Sequence, residues 1–255
     1  MKSIIDEVKQ ARPLVHHLTN EVVMNFTANG LLAFGGSPVM AKAKEEAEEM
    51  ATAADAVLLN IGTIRSQDIE AMIIAGQTAL KLGKPVVFDP VGVGATAFRQ
   101  HAAKEILSAI TPTVIKGNAA ELAYLAGISR EMKGVDSEIK GDEIEISERV
   151  SHTYKTIAVV TGEVDVVTGP EHQFTNQMGH HYLTSVTGAG CLLGSIIAAC
   201  LTTSANEEQA VLAALQFYGM AAEQAVSKRG VTGPGTFQAA FLDSLAVSAS
   251  KLEVV

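Results

Sequence analysis

The chain has 255 residues, of which 47% are hydrophobic, so it is long enough to enclose one large core. We therefore predict a single domain over residues 1–255. The formal net charge of −9 leaves no extended basic surface, so we predict that neither nucleic acid nor an anionic membrane is a partner.

Residues 2–11 combine charged and apolar positions at helical spacing, which predicts an amphipathic helix rather than a secretion signal. No apolar run approaches the roughly 20 residues that a membrane span needs. The two cysteines, Cys191 and Cys200, fall on different turns of one predicted helix, so we do not expect a disulfide between them. These features favour a reducing compartment, and we predict a soluble, cytoplasmic protein.

From residue 14 to residue 162, strand and helix patterns alternate along the chain. This alternation predicts right-handed β-α-β crossovers, and hence an α/β fold in which helices cover both faces of a mainly parallel sheet. The predicted strands cover residues 14–19, 55–62, 84–90, 111–118 and 155–162. The predicted helices cover residues 21–33, 45–54, 66–83, 101–110 and 118–127.

The second half of the chain departs from this alternation. Three short strand patterns, at residues 164–169, 172–176 and 180–186, predict antiparallel pairing at one edge of the sheet. The highly charged segment 130–145 is predicted to be a solvated surface loop. The patterns that follow are helical, at residues 191–203, 207–230 and 233–250.

Two adjacent histidine pairs, His16–His17 and His180–His181, raise the alternatives of metal ligands or ordinary strand residues. Neighbouring residues on a helix do not face one another, so neither pair has the spacing that lets two imidazoles share a metal ion. We interpret both pairs as strand residues, with one ring inward and one outward. Met24, Met40 and Met50 are interpreted as residues that fill the core or a pocket.

Residues 184–195, TSVTGAGCLLGS, contain a local signal for a ligand. Three residues that favour strands lead into Gly188, Ala189 and Gly190, and a helical apolar run follows. The pattern predicts a sharp turn at the end of a strand, with main-chain amides exposed at a helix N-terminus, which is a site for an anion. Cys191 then lies at the mouth of this site, where a phosphate-handling enzyme would more naturally have a carboxylate.

Two common nucleotide-binding motifs are excluded. A Walker A loop needs a Gly-rich turn followed by Lys and then Ser or Thr, and no segment has this spacing. Gly92, Gly94 and Ala97 imitate a dinucleotide fingerprint after a strand, but the next predicted strand ends in Lys116 rather than in an acidic residue. A nicotinamide oxidoreductase is therefore disfavoured.

Polar residues end several of the predicted strands. In open α/β sheets, ligands bind outside the carboxyl ends of the strands, so these residues predict a site at one edge. Each residue alone is more often a turn or a cap, and the convergence of five ends carries the prediction. The five ends are Asn60, Asp89, Lys116 with Asn118, Thr161 with Gly162, and the Thr187–Gly188 turn.

Asn118 and Glu121 have two interpretations. Their spacing is that of a capping box, in which Asn118 caps a helix and Glu121 occupies its third position. A carboxylate there, beside Lys116 and facing Asp89, could also orient a hydrated Mg²⁺ ion, which takes only one or two protein carboxylates. Spacing alone leaves both interpretations open.

These motifs together resemble a known family. TGAGC followed by a helix of small residues resembles the TGAGD anion-hole motif of ribokinase-like small-molecule kinases, and the cysteine variant resembles the hydroxyethylthiazole kinase family of thiamine salvage. The resemblance extends over nearly the whole chain, through LTNEVVMNFTANGLLAFGGSPVMA, LLNIGT, VFDPVGVGAT, KGNAAE, VVTG and GPGTF.

The resemblance implies a ribokinase-like three-layer sandwich and a defined reaction. The γ-phosphoryl group of ATP would be transferred, with Mg²⁺, to the primary alcohol of 4-methyl-5-(2-hydroxyethyl)thiazole. It also implies a homotrimer with active sites between subunits. The alternatives are a related kinase for hydroxymethylpyrimidine or pyridoxal, the repair dehydratase that shares the fold, and a non-catalytic nucleotide-binding module.

The resemblance also implies roles for individual residues. Met40, Asn20 and Gly188 would contact the thiazole, and Lys116 and Thr161 would contact ATP. Many family members carry Arg at the position of Lys116. A Lys keeps the charge but loses the two-pronged phosphate geometry, so nucleotide affinity is the property that this difference affects.

Asp89, Glu121 and Asn118 fall in the segments that, by the same resemblance, would hold Mg²⁺ and its waters. The GAG amides would stabilise the moving phosphoryl group, with Cys191 as a weak base or orienting group. Phosphoryl transfer tolerates a weak base, because most charge develops on the phosphoryl group and a positioned base contributes only roughly 100-fold to 10,000-fold. The alternative is that Cys191 is only a small buried residue at a helix start.

Overall fold

The computed structural model describes residues 1–128 and 142–252. Its eight strands form one sheet in the order β2-β1-β3-β4-β5-β6-β7-β8. The strands from β2 to β6 pair in parallel, whereas β7 and β8 add an antiparallel edge. The strands are β1 (Leu14–Leu18), β2 (Ser37–Met40), β3 (Ala56–Asn60), β4 (Val86–Asp89), β5 (Val114–Asn118), β6 (Ile157–Thr161), β7 (Asp165–Thr168) and β8 (Gln173–Asn176).

Helices cover both faces of this sheet. One buried apolar cluster joins the sheet to α1, α2 and α8–α10, and a second joins its other face to α3–α7. The predicted three-layer α/β fold is therefore confirmed. The helices are α1 (Lys2–Ala11), α2 (Met24–Phe34), α3 (Ala47–Ala53), α4 (Ser66–Lys81), α5 (Ala97–Ala109), α6 (Ala119–Leu125), α7 (Asp142–Tyr154), α8 (Ala189–Cys200), α9 (Glu207–Ser227) and α10 (Pro234–Leu245).

The two-sided covering explains why the central strands are almost continuously apolar. Every residue of β3 is buried, and Leu58 and Leu59 belong to the clusters on opposite faces. His16 and His17 alternate in the same way, but both are fully buried, so the predicted outward ring also lies under helices. Among the described residues, none of the helices is both long and apolar enough to span a bilayer.

Two predictions about the second half of the chain are wrong. Residues 180–186 were expected to form a strand, but His181–Ser185 form a 3-10 helix in which the His180 ring accepts a hydrogen bond from the amide of Tyr182. The rings of His180 and Tyr182 pack against each other and against Phe237 of α10, so packing overrides the alternating pattern. The His180–His181 pair is therefore not in a strand.

The helix α7 was not expected at all. Residues 142–145, assigned to a charged loop, begin this helix, whose buried residues Ile146 and Val150 pack onto the sheet. The remainder of the predicted loop, residues 130–141, lies outside the described residues. The high charge of residues 142–149 concealed the apolar positions Ile146 and Val150, which are spaced by one helical turn.

Candidate active site

Three buried polar side chains converge at the carboxyl edge of the central strands. Asn60, Asp89 and Lys116 are each at most 3% exposed. Each follows by two positions a residue of the cluster under α8, and alternate strand residues share a face, so all three point towards that helix. The parallel register sets Asn60 directly beside Asp89.

Hydrogen bonds connect these side chains to the loop after β1. Asn20 Nδ2 donates to Asn60 Oδ1 at 3.0 Å, and Asn60 Nδ2 donates to Asp89 Oδ2 at 2.9 Å. Lys116 Nζ lies 3.4 Å from the same Asp89 oxygen. Asn60 thus connects the Asn20 loop to Asp89, because its side-chain oxygen accepts from Asn20 while its nitrogen donates to Asp89. These two hydrogen bonds set the distance between the loop and the carboxylate.

The Asp89 carboxyl group is incompletely paired. Burial, opposed by Lys116 and reinforced by Glu121, raises its pKa to about 6. Oδ2 receives both contacts, whereas the buried Oδ1 has no hydrogen-bond partner among the described residues. A buried carboxylate oxygen without a partner is costly, so this atom marks a position where a cation or a donor group would be stabilised.

Cys191 lies at the same point, in the first turn of α8. Its Sγ accepts hydrogen bonds from Asn20 Nδ2 at 3.4 Å and from Asn60 Nδ2 at 3.3 Å. Burial and the charge of Asp89 raise the pKa of the thiol above its ordinary value of 9.0, although Lys116 and the two amides oppose the shift. At neutral pH the group is therefore a protonated thiol.

Lys116 provides positive charge next to this helix start. Burial is the largest single influence and disfavours the charged form, but Asp89, Cys191 and Glu121 together outweigh burial and raise the pKa of the ammonium group. A Cβ atom built on Gly190 would have Lys116 Nζ as a neighbour at 3.9 Å. The ammonium group therefore lies against the first turn of α8.

The start of α8 exposes main-chain donors. Gly188 precedes the helix with φ of 94°, and an added Cβ would lie 2.8 Å from Val23 Cγ1, so only glycine fits. The amide of Ala189 donates to Val186 O at 3.2 Å. Within residues 1–128 and 142–252, the amides of Gly190 and Cys191 have no such acceptor. These two amides are the donors available to an anion.

Glu121 and Asn118 form the capping box that their spacing indicates. The amide of Asn118 donates to Glu121 Oε2, and the amide of Glu121 donates to Asn118 Oδ1, each at 2.9 Å. The other Glu121 oxygen accepts from the amide of Gly92 at 2.8 Å. Each carboxylate oxygen still has a free lone pair. Together with Asp89 Oδ1, these oxygens fit a hydrated Mg²⁺ ion, the hard cation that prefers carboxylate and water ligands.

Met40 and Thr161 lie on opposite sides of Asp89 along the sheet edge. Met40 ends β2, three strand intervals from β4, whereas Thr161 ends β6, two intervals away on the other side. At about 4.8 Å per interval, these separations are about 14 Å and about 10 Å. Thr161 Oγ1 donates to Gly117 O at 3.2 Å and touches none of the central side chains. The structure therefore does not bring Met40 and Thr161 into the polar cluster.

Two contacts that hold α8 in place had no sequence signal. Tyr218 of α9 donates its hydroxyl to Ala189 O at 2.6 Å. His17 Nε2 lies 2.7 Å from Ser195 Oγ, while Nδ1 faces the carbonyls of Val15 and Val39. Nδ1 must therefore carry the proton, and Nε2 accepts from Ser195. Both contacts join residues far apart in the chain, which local patterns cannot reveal.

Known proteins resemble the chain over almost its whole length. The family model described as "Hydroxyethylthiazole kinase family" matches residues 5–250. The protein named hydroxyethylthiazole kinase 1 of Oceanobacillus iheyensis is 55% identical over 242 residues, which cover 95% of this chain and 94% of the relative.

Two solved structures extend the comparison. Hydroxyethylthiazole kinase from Pyrococcus horikoshii OT3 superimposes with a TM-score of 0.85 at 40% identity, covering 96% of this chain and 92% of that one. A ribokinase-like superfamily protein from Enterococcus faecalis V583 gives a TM-score of 0.68 at 13% identity, covering 96% and 94%. The second likeness concerns the fold alone, and it agrees with the three-layer architecture described above.

Proposed function

The chain belongs to the hydroxyethylthiazole kinase family and is a kinase, and we propose that it transfers the γ-phosphoryl group of ATP to the hydroxyl of 4-methyl-5-(2-hydroxyethyl)thiazole. The observation that carries the proposal is that the buried Lys116 ammonium group, paired with Asp89, lies beside the start of α8, where two amides have no acceptor among the described residues. An anionic phosphoryl group is the ligand that such amides and an ammonium group stabilise.

The order of residues along the sheet edge supports two neighbouring subsites. Asn20 follows β1 and Met40 ends β2, both on one side of Asp89, and they would contact the thiazole alcohol together with Gly188. Lys116 and Thr161 lie on β5 and β6, on the other side, and would contact ATP. Cys191 and the free amides lie between the two, where a phosphoryl group would cross from one subsite to the other.

Catalysis would depend mainly on positioning and on charge stabilisation. In a loose transition state the migrating phosphoryl group carries most of the charge, which the Gly190 and Cys191 amides and Lys116 would stabilise. Cys191, as a protonated thiol held by two amides, would orient the alcohol, and only its small thiolate fraction would accept the alcohol proton as a weak base. This accounts for a thiol where related kinases carry a carboxylate.

Asp89 and Glu121 would hold Mg²⁺ and its waters, with Asn118 as the cap that orients Glu121. When bound, the ion would neutralise charge on the phosphates of ATP. The support for this role is the unpaired Oδ1 of Asp89. Asn118 itself is exposed and its side-chain oxygen already accepts from Glu121, so its role is indirect.

A homotrimer with shared active sites and a cytoplasmic location are part of the same proposal. Val22, two residues from Asn20, is 70% exposed in the single chain, and Leu32 of α2 is 52% exposed. An exposed apolar side chain as close in the chain to a site residue as Val22 is suited to a subunit contact. Light scattering tests the assembly, and a fully active monomer would contradict the shared sites.

The substrate is tested by ADP release with Mg-ATP against thiazole, pyrimidine and pyridine alcohols. We expect release with the hydroxyethyl thiazole. Release with hydroxymethylpyrimidine or pyridoxal alone would favour the related kinases, and nucleotide binding without any product would favour a non-catalytic module.

The phosphoryl site is tested at the start of α8. Gly188→Val should nearly abolish turnover. Because Gly188 has a left-handed φ and Val23 lies close to it, this substitution would also strain the backbone and disturb folding. Gly190→Val is the better variant, because an added Cβ has only Lys116 Nζ within 4 Å and its backbone is not in the left-handed region. We expect a loss of about 100-fold or more from Gly190→Val. A folded variant with normal turnover would overturn the anion-site assignment.

Cys191→Asp tests the role of the thiol in the same helical turn as Gly190→Val. The amides of Asn20 and Asn60 that donate to the sulfur could donate to a carboxylate instead. We expect turnover to be retained or increased, because a carboxylate is a stronger proton acceptor at neutral pH than a protonated thiol. A large loss in a folded variant would indicate that the thiol itself is required.

A further inference from the structure

We infer that Arg99 is a positioning residue that couples the loop beside the acceptor subsite to the loop beside the proposed metal site. Arg99 belongs to α5 and is half-buried. The inference rests on the proposed function, because it assigns a role to the two loops in that reaction. The contacts of Arg99 themselves are independent of any substrate.

The guanidinium group joins two separate loops. One terminal nitrogen donates to the carbonyl of Gly62, in the loop after β3. The other donates to the carbonyl of Val91, in the loop after β4, at 2.6 Å. The strand ladder does not continue this far, because the last main-chain bond between the two strands runs from Ile61 N to Asp89 O at 3.2 Å. Arg99 therefore connects the two segments beyond the point where the main-chain hydrogen bonds between the strands end.

The first loop is part of the acceptor side. The Gly62 amide donates to Asn60 Oδ1 at 3.0 Å, the same oxygen that accepts from Asn20. A Cβ on Gly62 would lie 2.7 Å from Asn20 Nδ2, so the loop packs directly against this side chain. Displacement of the Gly62 carbonyl would therefore move both asparagines that hold Cys191.

The second loop is part of the proposed metal side. Gly92 follows Val91, and its amide donates to Glu121 Oε1 at 2.8 Å. Gly92 has φ of 65°, and an added Cβ would lie 2.7 Å from a guanidinium nitrogen of Arg99. The turn therefore needs glycine at this position, both for its backbone conformation and to leave room for Arg99. Displacement of this loop would remove one of the two amides that orient Glu121.

Arginine suits this role for a geometric reason. Its planar fork donates in two fixed directions at once, whereas a lysine ammonium group on a flexible stem has no such preset geometry. Arg99→Lys therefore keeps the charge and the means to hold one of the two carbonyls but not the two-pronged bridge, and Arg99→Ala removes charge and contacts alike. Lys104→Ala is the matched control, because Lys104 is an exposed cation on the same helix, outside the proposed site.

Hydrogen–deuterium exchange of the ligand-free protein tests the bridge without reference to activity. We expect faster exchange around Gly62 and around Gly92 in Arg99→Ala, a smaller increase in Arg99→Lys, and wild-type exchange in Lys104→Ala. Unchanged exchange at both loops in Arg99→Ala would overturn the inference. If Arg99→Ala does not fold, Arg99→Lys decides by the same criterion.

Kinetics test the coupling. We expect Arg99→Ala to raise both the KM for the thiazole alcohol and the Mg²⁺ concentration for half-maximal rate by about tenfold, as for one lost hydrogen bond from a charged donor. A fall in kcat that only follows the folded fraction, with both parameters unchanged, would show a purely structural role and overturn the inference. Wild-type protein that does not phosphorylate the alcohol would instead refute the proposed function, and the exchange experiment would still decide the bridge.

Discussion

Asp89 and Glu208 are two buried carboxylates with opposite surroundings. Glu208, in the first turn of α9, is 2% exposed and accepts from the amides of Glu171 and His172 and from the His172 ring. Asp89 is 1% exposed, yet its Oδ1 has no partner among the described residues. The two side chains are almost equally shielded from solvent, but Asp89 lies much deeper in the protein. Among the described residues, Asp89 has one oxygen without a partner, whereas both oxygens of Glu208 accept hydrogen bonds.

The pKa values follow this difference. Burial opposes ionisation of Glu208, but the three hydrogen bonds outweigh burial and lower its pKa. At Asp89 burial prevails and raises the pKa to about 6. A saturated carboxylate stabilises the fold, here by attaching the β7–β8 turn to α9. An unsaturated one costs stability until a ligand arrives, which is the pattern of functional sites.

The largest effect is expected from Asp89→Asn. The amide keeps the size of the side chain but removes the negative charge beside Lys116 and the proposed metal site. We expect kcat/KM to fall by about 100-fold or more, because charge stabilisation is a major part of phosphoryl transfer. Steady-state kinetics on protein shown by circular dichroism to be folded measures this. Activity within a few-fold of wild type would break the comparison, since Asp89 would then be structural as well.

Glu208→Ala should show the reverse. The variant leaves two backbone amides and the His172 ring without their acceptor, which should lower the free energy of unfolding by about 1–3 kcal/mol. Turnover should be unchanged at temperatures where the variant is folded. Urea unfolding and the kinase assay measure the two quantities. A fall in kcat without loss of stability would contradict the structural role.

A smaller effect, in the pH dependence of stability, sharpens the comparison. The pKa of Asp89 is raised by folding, so its protonation adds stability that is present below its unfolded pKa and lost as pH rises through about 6. The pKa of Glu208 is lowered by folding, so its contribution is present above the unfolded value and lost as pH falls through the folded pKa. The contributions of the two groups to the free energy of unfolding therefore change with pH in opposite directions and over different pH ranges.

Urea unfolding of wild type, Asp89→Asn and Glu208→Gln from pH 7 to pH 3 tests these signs. From pH 7 towards pH 4, wild type should gain stability relative to Asp89→Asn, by about 1–3 kcal/mol. Relative to Glu208→Gln, wild type should lose stability only in the more acidic part of the range. Parallel curves for all three proteins would show that neither carboxyl group titrates as its surroundings indicate.

Local sequence patterns predicted most of the fold. Apart from β2 and α7, which were not predicted, the alternation from residue 14 to residue 162 yielded the parallel strands and the helices between them, because a buried strand and an amphipathic helix each have a period that is visible in a single segment. The order of the strands in the sheet was not predicted. Prediction failed at residues 180–186, where aromatic packing overrides an alternating pattern. It also failed at α7, where high surface charge conceals the helical period.

For the candidate site, the sequence by itself determined which polar residues end β3, β4, β5 and β6 and that a glycine turn begins α8. The fifth predicted strand end, at Thr187–Gly188, follows a 3-10 helix instead of a strand. Only the tertiary structure decided that Asn60 joins Asn20 to Asp89 and that Tyr218 and His17 hold α8. It also decided that, among the described residues, Asp89 Oδ1 has no partner whereas both oxygens of Glu208 accept hydrogen bonds. The physical reason is that a hydrogen bond depends on the distance and direction between two groups in space. For residues separated by tens to hundreds of positions, only the packing of the whole chain sets these quantities.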